Sequence, residues 1–127
     1  MISSLLYTDR TESMGFGVFT MGDIDEGTVI ETSPVIVMSA EERKLIDQTR
    51  LHDYIFEWGE KKDQCCMAMG LVPIYNHSYK SNCEYEMDFE TNEISIRAVR
   101  FIREGEEIFI NYNGTWNDQE KLWFDAK

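Results

Sequence analysis

The chain has little of what staples, breaks or spans. Its three cysteines, Cys65, Cys66 and Cys83, are an odd set with no C-x-x-C pair. That excludes a disulfide framework and any zinc site of ordinary spacing. No run approaches the roughly 20 apolar residues that cross a bilayer. The opening MISSLLYTDR lacks the basic start and long apolar segment of a signal peptide. An intracellular protein with reduced thiols is expected, in the cytoplasm or, for a eukaryotic or viral chain, the nucleus. His52 and His77 are the only histidines; they assemble no Ser-His-Asp site, and nothing in the sequence gathers further ligands around His77. His52 reads as structural. No metal is expected.

Basic residues are scarce as well: 12 Lys and Arg stand against 24 Asp and Glu, for a net charge of -12. Such a surface repels a nucleic-acid backbone, so no direct nucleic-acid binding is expected. The plain reading of the charge is a self-repelling, soluble surface; the sharper one is a field that draws in Lys- or Arg-rich peptides.

Apolar residues make up 43% of the 127, enough for one hydrophobic core. There is no linker and no low-complexity segment, so residues 1–127 read as a single domain. Short strands dominate: FGVFT (Phe16–Thr20), TVIET (Thr28–Thr32), VIVM (Val35–Met38), YIFEW (Tyr54–Trp58) and CCMAM (Cys65–Met69). CEYEMDF (Cys83–Phe89) alternates, with Tyr85, Met87 and Phe89 on one face and acids on the other. EISIRAV answers it with Ile94, Ile96 and Ala98 inward, which predicts an antiparallel hairpin with one wet face. Ser39 and Glu42 form a capping box that starts a helix from Ala40 to about Gln48. Asn117 and Glu120 offer a weaker start for a short C-terminal helix docked by Leu122, Trp123 and Phe124. IDEGTVI (Ile24–Ile30) and IREGEEI (Ile102–Ile108) echo one another and read as two similar turns feeding strands.

Taken singly, the remaining motifs are weak. GFG (Gly15–Gly17) lets backbone approach a ligand, yet no third glycine or βαβ unit makes it a nucleotide fingerprint. DIDEG (Asp23–Gly27) has the wrong spacing for a calcium loop. A strand-end tyrosine such as Tyr112 is commonly a half-buried aromatic with a wet hydroxyl. In order along the chain, GFGVF, NHSYKSN (Asn76–Asn82) and GEEIFINY (Gly105–Tyr112) mean more together. With GDIDEGTVIET after the glycines, they resemble the SET domain of protein lysine methyltransferases from about Met14 to Tyr112.

That resemblance implies a mainly β fold of several short antiparallel sheets with little helix. It also implies a C-terminal pseudoknot, in which the Asn-His-Ser segment and the final tyrosine segment pack together, one threaded beneath the loop that holds the other. The core would be residues 14–112, with 39–62 a variable insert and 113–127 a closing segment. The implied activity is methyl transfer from S-adenosylmethionine to a protein lysine. Gly15, Phe16 and Gly17 would hold the methionine part of the cofactor by their backbone. The Asn76 side chain and His77 backbone would take its adenine and amino groups. Tyr112 would be the catalytic tyrosine, and Tyr54, Phe56, Trp58, Tyr75 and Tyr112 candidate walls of a lysine channel. Ile110 occupies the place where relatives vary between Phe and Tyr; without a hydroxyl it should not restrict the product to monomethyl-lysine.

Departures from the family pattern are Ser81 for the usual Pro and Asn111 for the usual Asp. Many relatives carry a cysteine-rich zinc segment after the tyrosine. Here NGTWNDQEKLWFDAK has no cysteine, and Trp116 or the terminal aromatics would cover the adenine instead. The partner would be a lysine-bearing, basic protein such as a histone tail, selected by residues 41–62, with the enzyme acting alone or as a homodimer. A silent SET-like module that binds S-adenosylmethionine or a basic peptide is the alternative. A small acidic interaction protein of unrelated β fold is a third reading.

Overall fold

The computed structural model describes residues 1–112. The expected C-terminal helix, its docking aromatics and Trp116 lie outside the described residues. In chain order the strands are β1 (Leu6–Arg10), β2 (Phe16–Thr20) and β3 (Val29–Met38). After α1 (Ala40–Ile46) come β4 (Phe56–Trp58), β5 (Gln64–Ala68), β6 (Asn76–His77), β7 (Cys83–Asp88), β8 (Glu93–Ala98) and β9 (Glu107–Ile110). They form two sheets, one ordered β1-β2-β9-β6 and one ordered β4-β5-β3-β8-β7. The mainly β fold with little helix is as expected.

The β7–β8 hairpin shows how directly pattern became structure. Tyr85 pairs with Ile96 and Met87 with Ile94, while Ile94, Ile96 and Ala98 are buried. Opposite charges meet on the wet face, with Arg97 Nε 3.0 Å from Glu86 Oε1. Phe89 departs from the expected inward face: it lies past the strand end, 43% exposed, edge-on to Trp58 at 4.9 Å.

The two segments expected at residues 28–32 and 35–38 are one strand, β3, that changes partner at its proline. Val29 to Pro34 pair with β8, and Val35 to Met38 with β5. Pro34 sits at the hand-over, where its missing N–H costs no ladder bond, and its carbonyl accepts from Met69 N–H at 3.0 Å. Strand β1 was not among the expected strands, because four of its five residues are exposed and it carries no apolar alternation. Helix α1 begins at the capping box, where Glu42 N–H donates to Ser39 Oγ at 3.1 Å and Ser39 N–H to Glu42 Oε1 at 2.9 Å. It ends at Ile46, two residues short of the expected end.

The echoed turns are built alike and bonded to each other. Ile24 and Ile102 exchange N–H···O bonds of 2.8 Å in both directions. Gly27 N–H donates to the Ala98 carbonyl and Gly105 N–H to that of Thr20, each at 2.8 Å. Their φ values, +87° and +89°, are ones only glycine adopts freely. Around this joint lies the core: Ile30, Ile94, Ile96, Ile102, Ile108 and Ile110 are at most 1% exposed. Each contributes about 1.5–3 kcal/mol by leaving water. The three cysteines are buried and unbridged, and burial pushes the Cys66 and Cys83 thiols up to about 12. No helix among the described residues is long and apolar enough to cross a membrane.

Candidate active site

Strand β9 organises the site because it lies between the Gly-x-Gly strand and the Asn-His strand. It pairs antiparallel with β2, Val18 opposite Ile108, and parallel with β6, Asn76 opposite Phe109 and His77 opposite Ile110. The parallel pair is the one exception to antiparallel pairing among the described strands. The loop after β6 then closes over β9. Ser78 N–H donates to the Ile110 carbonyl at 3.1 Å. The Asn82 amide imitates a strand neighbour: Nδ2 donates to Glu107 O at 2.9 Å and Oδ1 accepts from Phe109 N–H at 2.8 Å. NHSYKSN is therefore no solvated turn; Asn76, Ser81 and Asn82 are at most 3% exposed. Ser81, standing where relatives have proline, donates from Oγ to the Cys83 carbonyl at 2.8 Å.

Asn76 ties the motifs together. Its Nδ2 donates to the Phe16 carbonyl at 3.2 Å and to Glu107 Oε2 at 2.8 Å. At Gly17 a Cβ would stand 2.5 Å from Glu107 Oε2 and 3.0 Å from Asn76 Nδ2, so a side chain there would press the Glu107 carboxylate aside. Gly15 has φ +69°. Phe16 projects outward, 52% exposed, with the Arg10 guanidinium 4.8 Å above its ring. Gly15 and Phe16 border a cleft of about 500 Å³ whose other walls are Thr8, Tyr54, Pro73 and Ile74. That volume lies within the ordinary range for a small-molecule site.

Tyr112, two residues past β9, is held at three points. Its hydroxyl donates to the Tyr75 carbonyl at 2.7 Å. Its N–H donates to His77 Nδ1 at 3.1 Å, and its carbonyl accepts from the Tyr85 hydroxyl at 2.9 Å. The ring of Phe56 stands edge-on to both Tyr85 and Tyr112, with centroids 5.2 and 6.1 Å away. Burial, and then the neighbouring Tyr54, push the Tyr112 phenol well above its ordinary value, so it is a protonated donor across the working pH range. Burial raises Tyr85 likewise, with Glu57 adding to it. His77 moves down, because burial disfavours its charged form. Its Nδ1 accepts a bond, so its proton sits on Nε2, a buried atom without a partner among the described residues.

The sequence-predicted residues thus fall into three places. Gly15, Phe16 and Tyr54 border the cleft; Gly17 and Asn76 meet at Glu107 behind it; His77 and Tyr112 are in contact. Tyr75 meets Tyr112 through its carbonyl, while its ring is fully buried and its hydroxyl donates to Glu31 at 2.7 Å. Ile110 is fully buried, and Trp58 packs against Phe89. Sequence reasoning missed Glu31, Glu107 and the hydroxyl role of Tyr85. The only available signals were the acid opening GEEIFINY and the inward position of Tyr85.

Comparison with known proteins bears on the fold and the family. The SET-domain family profile matches residues 15–113. A Schizosaccharomyces pombe histone-lysine N-methyltransferase, described as H3 lysine-37 specific, is 36% identical over 126 residues, 98% of this chain and 80% of the relative. A Plasmodium falciparum crystal structure, solved as a candidate histone methyltransferase, shares 27% identity at a TM-score of 0.67. The match covers 91% of this chain and 98% of that one. A Polycomb Repressive Complex 2 structure from Chaetomium thermophilum shares the fold, with a TM-score of 0.72 at 23% identity over 88% of this chain and 16% of that one. The chain belongs to the SET-domain family and is a protein lysine methyltransferase.

Proposed function

We propose that this chain moves a methyl group from S-adenosylmethionine to the side-chain amine of a lysine in a basic protein segment, a histone tail or one like it. The observation that carries the reading is the three-point hold on Tyr112, beside the strand whose Asn76 reaches the Gly-x-Gly backbone. The residues present fit the cofactor: Gly15 and Phe16 border a cleft of sufficient volume. When bound, S-adenosylmethionine supplies a methyl group activated by its sulfonium charge. Gly15, Phe16 and Gly17 would hold it by backbone. Asn76, whose amide hydrogens go to protein acceptors, offers Oδ1 to a ligand donor, and the His77 backbone would lie along it.

The chain's own residues then have three tasks. Tyr54, Phe56, Tyr85 and Tyr112 form an aromatic surround for an alkylamine. A free lysine titrates near 10.4, so holding it neutral at pH 7 costs about 4–5 kcal/mol; a dry aromatic wall lowers that cost by disfavouring the ammonium. Tyr112, fixed in place and protonated, aligns the reacting groups by its hydroxyl, and alignment is the main source of acceleration for such a displacement. No side chain need act as base, because the proton can leave to water. Finally, the net charge of -12 attracts a basic segment, and a histone substrate would imply work in the nucleus. Calorimetric titration with S-adenosylmethionine tests the cofactor reading: saturable binding that Asn76→Ala weakens supports it, and no heat from the wild type contradicts it.

A further inference from the structure

A glutamate with no exposed surface, Glu31 on β3, is unexplained by packing alone. Burying a carboxylate is unfavourable unless hydrogen bonds replace its water, and here three donors do so, one from the same strand and two from the turn at residues 71–75. Ser33 Oγ and Leu71 N–H both donate to Oε2, at 2.6 and 2.9 Å. The Tyr75 hydroxyl donates to Oε1 at 2.7 Å. The surroundings are shaped for the carboxylate: Gly70 has φ +65°, and a Cβ there would collide with Glu31 Oε2 and Ser33 Oγ. Burial, and next the Glu31 charge, drive the Tyr75 phenol far above its ordinary value, so it remains a donor.

Tyr75 is fixed at its ring end by this bond, and its other end faces the reaction. Its carbonyl accepts the Tyr112 hydroxyl at 2.7 Å, and the next residue is Asn76, which binds Phe16 and Glu107. A single, fully buried residue therefore connects a carboxylate on β3, through its hydroxyl, with the Tyr112 hydroxyl, through its carbonyl. We infer that Glu31 is a positioning residue for methyl transfer, setting through Tyr75 the carbonyl against which the Tyr112 hydroxyl is aligned. This rests on Tyr112 being the tyrosine of the transfer site.

The test uses Glu31→Gln, which keeps the shape and loses the charge, and Tyr75→Phe, which removes only the hydroxyl. Methylation of a histone H3 peptide pool is measured with kcat expressed per cofactor-binding site, titrated with S-adenosylmethionine. Each variant is expected to lower kcat about 10- to 100-fold, with both KM values within about two-fold, the signature of lost alignment rather than lost binding. Unchanged kcat per site overturns the inference, even where the number of competent sites or the melting temperature falls; Glu31 then serves the fold alone. If Glu31→Gln does not fold, Tyr75→Phe decides by the same criterion. Tyr112→Phe, run alongside, separates the two levels: full activity in that variant overturns the reading of Tyr112 and this inference with it.

Discussion

The Tyr112 hydroxyl donates to the main-chain carbonyl of Tyr75 at 2.7 Å, joining the segment just past β9 to the residue just before β6. Because the phenol is buried and its titration lies well above the ordinary value, the bond persists across neutral and mildly alkaline pH. Tyr112→Phe is expected to lower kcat about 100- to 1,000-fold, the loss typical of one aligned donor. Cofactor affinity should change little. Single-turnover methylation and calorimetry on the same preparation check both halves of the statement.

Gly17→Ala puts a methyl group where Glu107 and Asn76 meet. The Glu107 carboxylate must swing aside, which disturbs its bond with Asn76 Nδ2. S-adenosylmethionine affinity is expected to fall at least about ten-fold, equal to roughly 1.4 kcal/mol. Titration calorimetry reads this directly. Asn76→Ala should weaken binding in the same direction.

Asn82→Ala removes the two side-chain bonds from the loop to β9 and leaves a half-buried N–H and a half-buried carbonyl without their partner. A loss of about 2–3 kcal/mol of stability is expected, read as a lower urea midpoint.

His77 supplies a pH dependence whose sign follows from burial. Its folded value lies below the ordinary 6.5, so between the two the unfolded chain binds the extra proton and stability rises with pH. The contribution is complete above about 6.5 and is lost as pH falls from there towards the folded value. Protonation also takes Nδ1 away from Tyr112 N–H, so activity should decline over the same acidic range. Urea midpoints should rise from pH 5 to about 6.5 and level off above it, and His77→Gln should flatten that rise.

Two hydroxyls near the site, those of Tyr85 and Tyr112, donate to backbone carbonyls, and Ile110 brings none. Without a hydroxyl at position 110 to hold a water in the channel, the product is expected to progress beyond monomethyl-lysine. Mass spectrometry of a product series would show it, and a strictly monomethylated product would contradict it.

What was legible in the sequence was what local pattern controls. Alternation in residues 83–98 placed Ile94, Ile96 and Ala98 inside, and Ser39 with Glu42 marked the start of the helix. The spaced motifs predicted that GFG, NHSYKSN and GEEIFINY belong together, and β9 does lie between the first two. Long-range pairing was not legible. Pro34 looked like a break because nothing nearby says that β3 changes partner there. Glu31 looked like an ordinary strand residue because two of its donors, Leu71 and Tyr75, come from one turn 40 and 44 residues further on. Tyr75 looked like a channel wall, although its hydroxyl is bound to a buried carboxylate. Each of these depends on which distant segments meet, and no local period encodes that.

The central claim is methyl transfer centred on Tyr112. The most direct measurement supplies S-adenosylmethionine with a labelled methyl group and a mixture of basic proteins that includes histones, then locates the label by mass spectrometry. Label on lysine with the wild type, reduced at least about 100-fold by Tyr112→Phe, is the predicted result. Label that is unaffected by Tyr112→Phe, or no labelled lysine from a protein that binds the cofactor saturably, would contradict it.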